Sequence, residues 1–126
     1  MWTAFDYMYR DADNFKAFGT IILEGELSID DRTLIQSRME SQEFFIAEQV
    51  GIPPLQRQLY RWSNGPTASD HCWHEFVGFR EAKDLERFVG AIPAREFVAR
   101  FQLVREWDEQ LSQSGANLEH VRLADR

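Results

Sequence analysis

A single cysteine, Cys72, stands in a chain of 126 residues. It has no partner for an intrachain disulfide, so the fold must rest on packing alone, and the sequence suits a reducing compartment. Histidine is nearly as scarce, with three residues, so a zinc site would need carboxylates to complete its ligand set. No apolar run approaches the ~20 residues that cross a bilayer. The start, Met1-Trp2-Thr3-Ala4-Phe5-Asp6, lacks the basic residues and apolar stretch of a secretory signal. A cytoplasmic protein with no membrane partner is the expectation. Neither G-x-x-x-x-G-K nor G-x-G-x-x-G occurs, so no phosphate cradle is expected. G-x-S-x-G is missing too, and with it one route to a serine nucleophile.

The length fits one domain, residues 1–126, large enough to bury roughly two-thirds of its unfolded surface. Aromatic residues make up 13%, ten of them Phe, enough for a core and a contact surface. The formal charge is −7, and it is uneven: residues 1–50 hold ten acids and four bases. An acidic field repels nucleic acid and attracts basic proteins. It outweighs the one Arg–aromatic cluster, Arg57, Tyr60, Arg61 and Trp62, so no nucleic-acid partner is expected. Asp11, Asp13, Glu24, Glu26, Asp30 and Asp31 are the acids expected to steer a basic protein partner, with Tyr60 and Trp62 as anchors.

Local patterns predict an α+β fold: an antiparallel sheet of about four strands with two or three helices packed on one face. Thr3 to Tyr9 alternates as a half-buried strand. Asp11-Ala12-Asp13-Asn14 breaks it, Phe15 to Gly19 is a loop or one helical turn, and Thr20 to Leu27 alternates again, with Ile21, Leu23 and Leu27 inward. Ser28 and Asp31 resemble a capping box opening a helix to about Ser41, with Leu34, Ile35 and Met39 as its stripe. Phe44-Phe45-Ile46 is a short strand or a plug, and Gly51-Ile52-Pro53-Pro54 stops what precedes it. Leu55 to Trp62 reads as a third strand. The turn Ser63-Asn64-Gly65-Pro66-Thr67 then returns the chain into Asp70–Phe79 as a long-looped hairpin. Glu81 to Val89 reads as a short helix with Leu85, Phe88 and Val89 as its stripe. Pro93 to Leu111 reads as the clearest helix, on Phe97, Phe101, Val104, Trp107 and Leu111, with Glu96 and Arg100 paired. Residues 115–126 are a polar tail, expected to be partly disordered.

Asp70-His71-Cys72-Trp73-His74-Glu75-Phe76 concentrates the chemistry-bearing residues. Strand alternation puts His71, Trp73 and Glu75 on one face and Cys72, His74 and Phe76 on the other. Together with Phe44-Phe45-Ile46-Ala47-Glu48-Gln49-Val50-Gly51-Ile52-Pro53, this stretch resembles segments of small bacterial proteins; the resemblance implies no particular activity.

Two chemistries are open to these residues. A metal would use Cys72 with His74, or His71 with Glu75, completed by Asp6 or Asp70. Acid–base work would use Asp108, which at ~100° per residue falls about 20° from Phe97 in the helix stripe. Facing His71 or His74, Asp108 would orient an imidazole; otherwise a bond to Arg100 accounts for it. No nucleophile motif accompanies the set, and the favoured reading holds the histidines in an interior strand for architecture. The expectation is therefore a non-enzymatic, acidic, protein-binding module without a cofactor, such as an inhibitor, immunity or regulatory protein. The alternative is a small hydrolase-like or metal-assisted enzyme using His71, His74, Glu75 and Asp108. A homodimer through the aromatic strands fits either.

Overall fold

The computed structural model describes residues 1–62 and 70–111, without the side chains of residues 60–62 and 111. The Ser63–Thr67 turn, the loop to Ser69 and the polar tail with His120 lie outside the described residues. So do the side chains of the two expected anchors, Tyr60 and Trp62.

The chain folds as α+β. Five strands, β1 (Thr3–Arg10), β2 (Lys16–Glu24), β3 (Phe44–Ile46), β4 (Trp73–Glu81) and β5 (Ala91–Pro93), form one sheet in the order β3-β4-β1-β2-β5. The helices are α1 (Ile29–Arg38) and α2 (Ala94–Gln102). Four strands pair antiparallel, but β5 joins β2 in parallel, so the sheet is mixed rather than purely antiparallel. The strand order makes β4 and β5 parallel to each other, so their connection must cross over β1 and β2. A short 3-10 helix, Asp84–Phe88, makes that crossing on the face opposite the helices.

Alternation along β1 divides the two faces. Phe5, Tyr7 and Tyr9 point into the core with Leu23, Phe45, Phe97 and Phe101. Phe5 lies at the middle, its ring 5.1 Å from Phe97, 5.5 Å from Phe76, 5.6 Å from Phe79 and 5.7 Å from Phe45, centre to centre. Edge, tilted and stacked pairs of this kind add to the burial of ring area. Ala4 and Ile22 face the other way, packing with Ala82 under the crossing segment. A β-bulge lets β4 serve the core twice: Tyr7 pairs with Phe76 and Asp6 with Gly78, leaving Val77 unpaired. The extra residue resets the alternation, so Phe76 and Phe79, three apart, share the core face.

Five local readings are corrected. Leu55–Trp62 is no strand: Gln56–Trp62 is a 3-10 helix, and the burial of Leu55 and Gln56 with half-buried Leu59 follows a helical spacing. No hairpin with β4 forms, since β4 pairs with β1 and β3. Phe15–Gly19 is not a loop, because β2 already begins at Lys16. The helix expected over 81–89 shrinks to the 3-10 turn Asp84–Phe88, and its stripe faces out, with Leu85 81% and Phe88 87% exposed. The long helix ends at Gln102, where the Leu103 and Val104 amides bond back to Ala99 and Phe101. Trp107 still reaches Phe101, but from a non-helical segment tied down by its indole N–H, which donates to the Arg38 carbonyl at 2.9 Å. Two local pairings form as expected: Ser28 and Asp31 exchange both capping-box bonds, and Glu96 pairs with Arg100.

Candidate interaction groove

β4 is an interior strand between β3 and β1. It starts at Trp73, so His71 and Cys72 precede it as an irregular lead-in. Tyr9 holds that lead-in: its hydroxyl donates to Asp70 Oδ1 at 2.7 Å and accepts the His71 amide at 3.1 Å. Burial, and then the Asp70 bond, push the Tyr9 phenol far above its ordinary range.

Both histidines of this stretch are occupied by backbone. His74 is fully buried; its Nε2 accepts the Leu55 amide at 3.0 Å, which puts the proton on Nδ1, donating to the Cys72 carbonyl at 3.0 Å. Desolvation pushes His74 down to about 4, so the ring is neutral at pH 7. His71 has the other tautomer. Its Nδ1 accepts the Trp73 amide at 3.0 Å, leaving Nε2–H to donate to the Arg10 carbonyl at 2.7 Å. No ring nitrogen of either residue is left for Asp108. That acid lies in the segment after α2, its N–H donating to Gln49 Oε1 and its Oδ1 accepting the Gln110 amide. The Asp108–Arg100 bond does not form either; Arg100 donates to the Val50 and Gly51 carbonyls and pairs with Glu96. Cys72 is buried. Among the described residues, no three His, Cys, Asp or Glu side chains gather as a metal site.

Alternation gives Glu75 to the outer face, in a row Phe44–Glu75–Met8–Phe18 across four strands. At the β3 end of that row lies an open groove of about 700 Å³, lined by Arg10, Asp11, Glu40, Phe44, His71, Trp73 and Glu75. Arg10 Nε donates to Glu75 Oε2 at 3.1 Å, and Arg10 Nη1 to Asn14 Oδ1 at 3.0 Å. Trp73 is fixed at the rim by its indole N–H, which donates to Glu109 Oε1 at 2.7 Å. Glu40 comes from the turn between α1 and β3, where its N–H and carbonyl both bond to Phe44. That turn holds Ser41 and Gln42 in left-handed backbone, at φ 53° and 60°, a conformation costly for residues with a Cβ.

The expected acidic face is not one surface. Asp11 reaches the groove but spends Oδ1 on the Asp13 and Phe15 amides, closing the β1–β2 turn. Asp13 is exposed in that same turn. Glu24, Glu26, Asp30 and Asp31 lie at or beyond the opposite end of β2, roughly 25 Å of strand away. Asp31 is committed to the α1 cap and to Arg95, which holds its carboxyl below the ordinary range. Sequence reasoning missed Glu40, Phe44 and Arg10, because long-range pairing alone brings them beside Trp73 and Glu75. Comparison of the chain with protein-family models, curated proteins and solved structures finds no match.

Proposed function

We propose that the chain is a non-enzymatic, acidic protein-binding module that captures a basic partner on the outer face of its sheet. The observation that carries this reading is the convergence of Asp11, Glu40 and Glu75 with the rings of Phe44 and Trp73 around one groove. Carboxylates steer and orient a cationic partner, and the net charge of −7 extends that pull beyond contact. The half-buried rings of Phe44 and Trp73 supply the anchors. An inhibitor, an immunity protein or a small regulator would use such a surface. The enzyme alternative needs a histidine nitrogen able to move a proton, and the backbone bonds of His71 and His74 occupy all four.

The test is affinity capture from extracts of the source cell, with proteins identified by mass spectrometry. Wild type is compared with E40K/E43K/E109K, which reverses exposed acids around the groove, and with E24K/E26K/D30K, which reverses those at the far end of β2. The reading expects basic proteins retained by wild type and by the second variant and lost by the first. The same set with all three, or no specific capture, removes it.

A further inference from the structure

Among the described residues, Arg10 is the one Lys or Arg lining the groove, against three carboxylates. Its guanidinium already sits at the Glu75 end, bonded to that carboxylate and to Asn14, while its side chain keeps 43% of its surface exposed. Glu75, by contrast, is 17% exposed, a carboxylate fixed in place by the strand beneath it. Phe44 flanks Glu75 directly across β3 and β4, and Trp73 lies two residues along the same face. A flat guanidinium stacks on aromatic faces and bonds a carboxylate through two N–H groups, which a round ammonium does not match.

We infer that the groove takes an arginine side chain from the partner, and that Arg10 is its internal competitor. This rests on the proposed reading of a basic partner and adds the chemistry of the contact. The incoming guanidinium takes Glu75 and the Phe44 and Trp73 faces; Arg10 gives up Glu75 and keeps Asn14. Arg10 thus lowers affinity for cations that do not bring enough contact elsewhere to displace it, a filter against unspecific basic peptides.

Titration calorimetry of the whole chain with hexa-arginine, hexalysine and hexaglutamate tests this at low and physiological salt. Arg10→Gln keeps the backbone carbonyl that holds His71. Lys83→Gln, in the crossing segment outside the groove, removes the same charge. R10Q is expected to bind hexa-arginine on the order of tenfold tighter than wild type, with K83Q within about twofold of wild type and Glu40→Gln weaker. Hexalysine gains less from R10Q, and hexaglutamate binds none of the proteins. R10Q no tighter than K83Q, or weaker than wild type, overturns the inference. If acid reversal still abolishes capture of basic proteins in that case, the proposed function stands and only the arginine seat falls. If capture is indifferent to acid reversal, the partner reading itself falls.

Discussion

The ring of Tyr7 lies on the bare backbone of Gly19, its partner across β1 and β2. A Cβ at Gly19 would come within 2.9 Å of Tyr7 Cε1 and 2.8 Å of Leu55 Cδ2. The ring has little room to retreat, because its hydroxyl donates to the Pro53 carbonyl at 2.6 Å. Gly19→Ala is expected to destabilise by about 1–3 kcal/mol through overpacking. Chemical denaturation reads the loss. Tyr7→Phe in the G19A background would recover part of it by freeing the ring, and a G19A protein as stable as wild type would refute the close fit.

His74 makes stability depend on pH. In an unfolded chain its ring titrates near 6.5; in the fold, burial lowers that to about 4. Between those values the unfolded chain binds a proton that the folded one refuses. Stability contributed by neutral His74 is therefore complete above about pH 6.5, falls as pH drops towards 4 and levels off below, for a total near 3 kcal/mol. Urea unfolding of wild type and His74→Gln at pH 7, 5.5 and 4 isolates this part. The difference between the two proteins should narrow with falling pH; a constant difference would show that the ring does not resist protonation.

The α1 cap gives a smaller, local prediction. Ser28 Oγ accepts the Asp31 amide at 3.0 Å and Asp31 Oδ2 accepts the Ser28 amide at 3.1 Å. Ser28→Ala should cost about 1 kcal/mol and Ser28→Gly a few tenths. Thermal unfolding that ranks glycine below alanine would contradict the cap.

On the outer face, Arg80 donates to both oxygens of Glu86 at 2.8 Å and through Nε to Asp6 at 2.8 Å. The guanidinium bonds, foremost among the causes, hold Glu86 down at about 2. Carboxyl carbon NMR should therefore follow Glu86 as a carboxylate down to that pH, and Arg80→Gln should return it towards 4.5. An unchanged titration in R80Q would mean that the crossing segment is not tied to the sheet by this pair.

Much of the fold is legible in the sequence because its cues are local. Ser28, Asp31 and Ile35 specify α1 within a few residues, and the alternation of Phe5, Tyr7 and Tyr9 specifies β1. The misreadings share a cause. Leu55, Arg57, Leu59 and Arg61 mix apolar and charged residues on one strand face, and the helical spacing of Leu55 and Leu59 is equally present. The stripe Phe101, Val104, Trp107 continues a helical period, yet no Gly or Pro marks the end of α2, and the segment beyond it is held by the Trp107 indole bond to the Arg38 carbonyl. Leu85, Phe88 and Val89 have helical spacing without a core to face. The groove was half legible: His71, Glu75 and Asp11 stood out by type, but β3–β4 register brings Phe44 and Glu40 to them. The ring nitrogens of His71 and His74 all bond main-chain groups, which residue type alone does not reveal.

Among the described residues, both margins of the sheet are short and partly closed. On one side Glu40 uses the N–H and carbonyl of Phe44, which an added strand would have needed. On the other, β5 is three residues long and ends at Pro93, which has no N–H to offer. Among the described residues, a strand added at either margin would find few main-chain groups to pair with. The broad outer face of the sheet, with its few outward rings and charges, therefore offers side chains rather than main chain to an associating molecule.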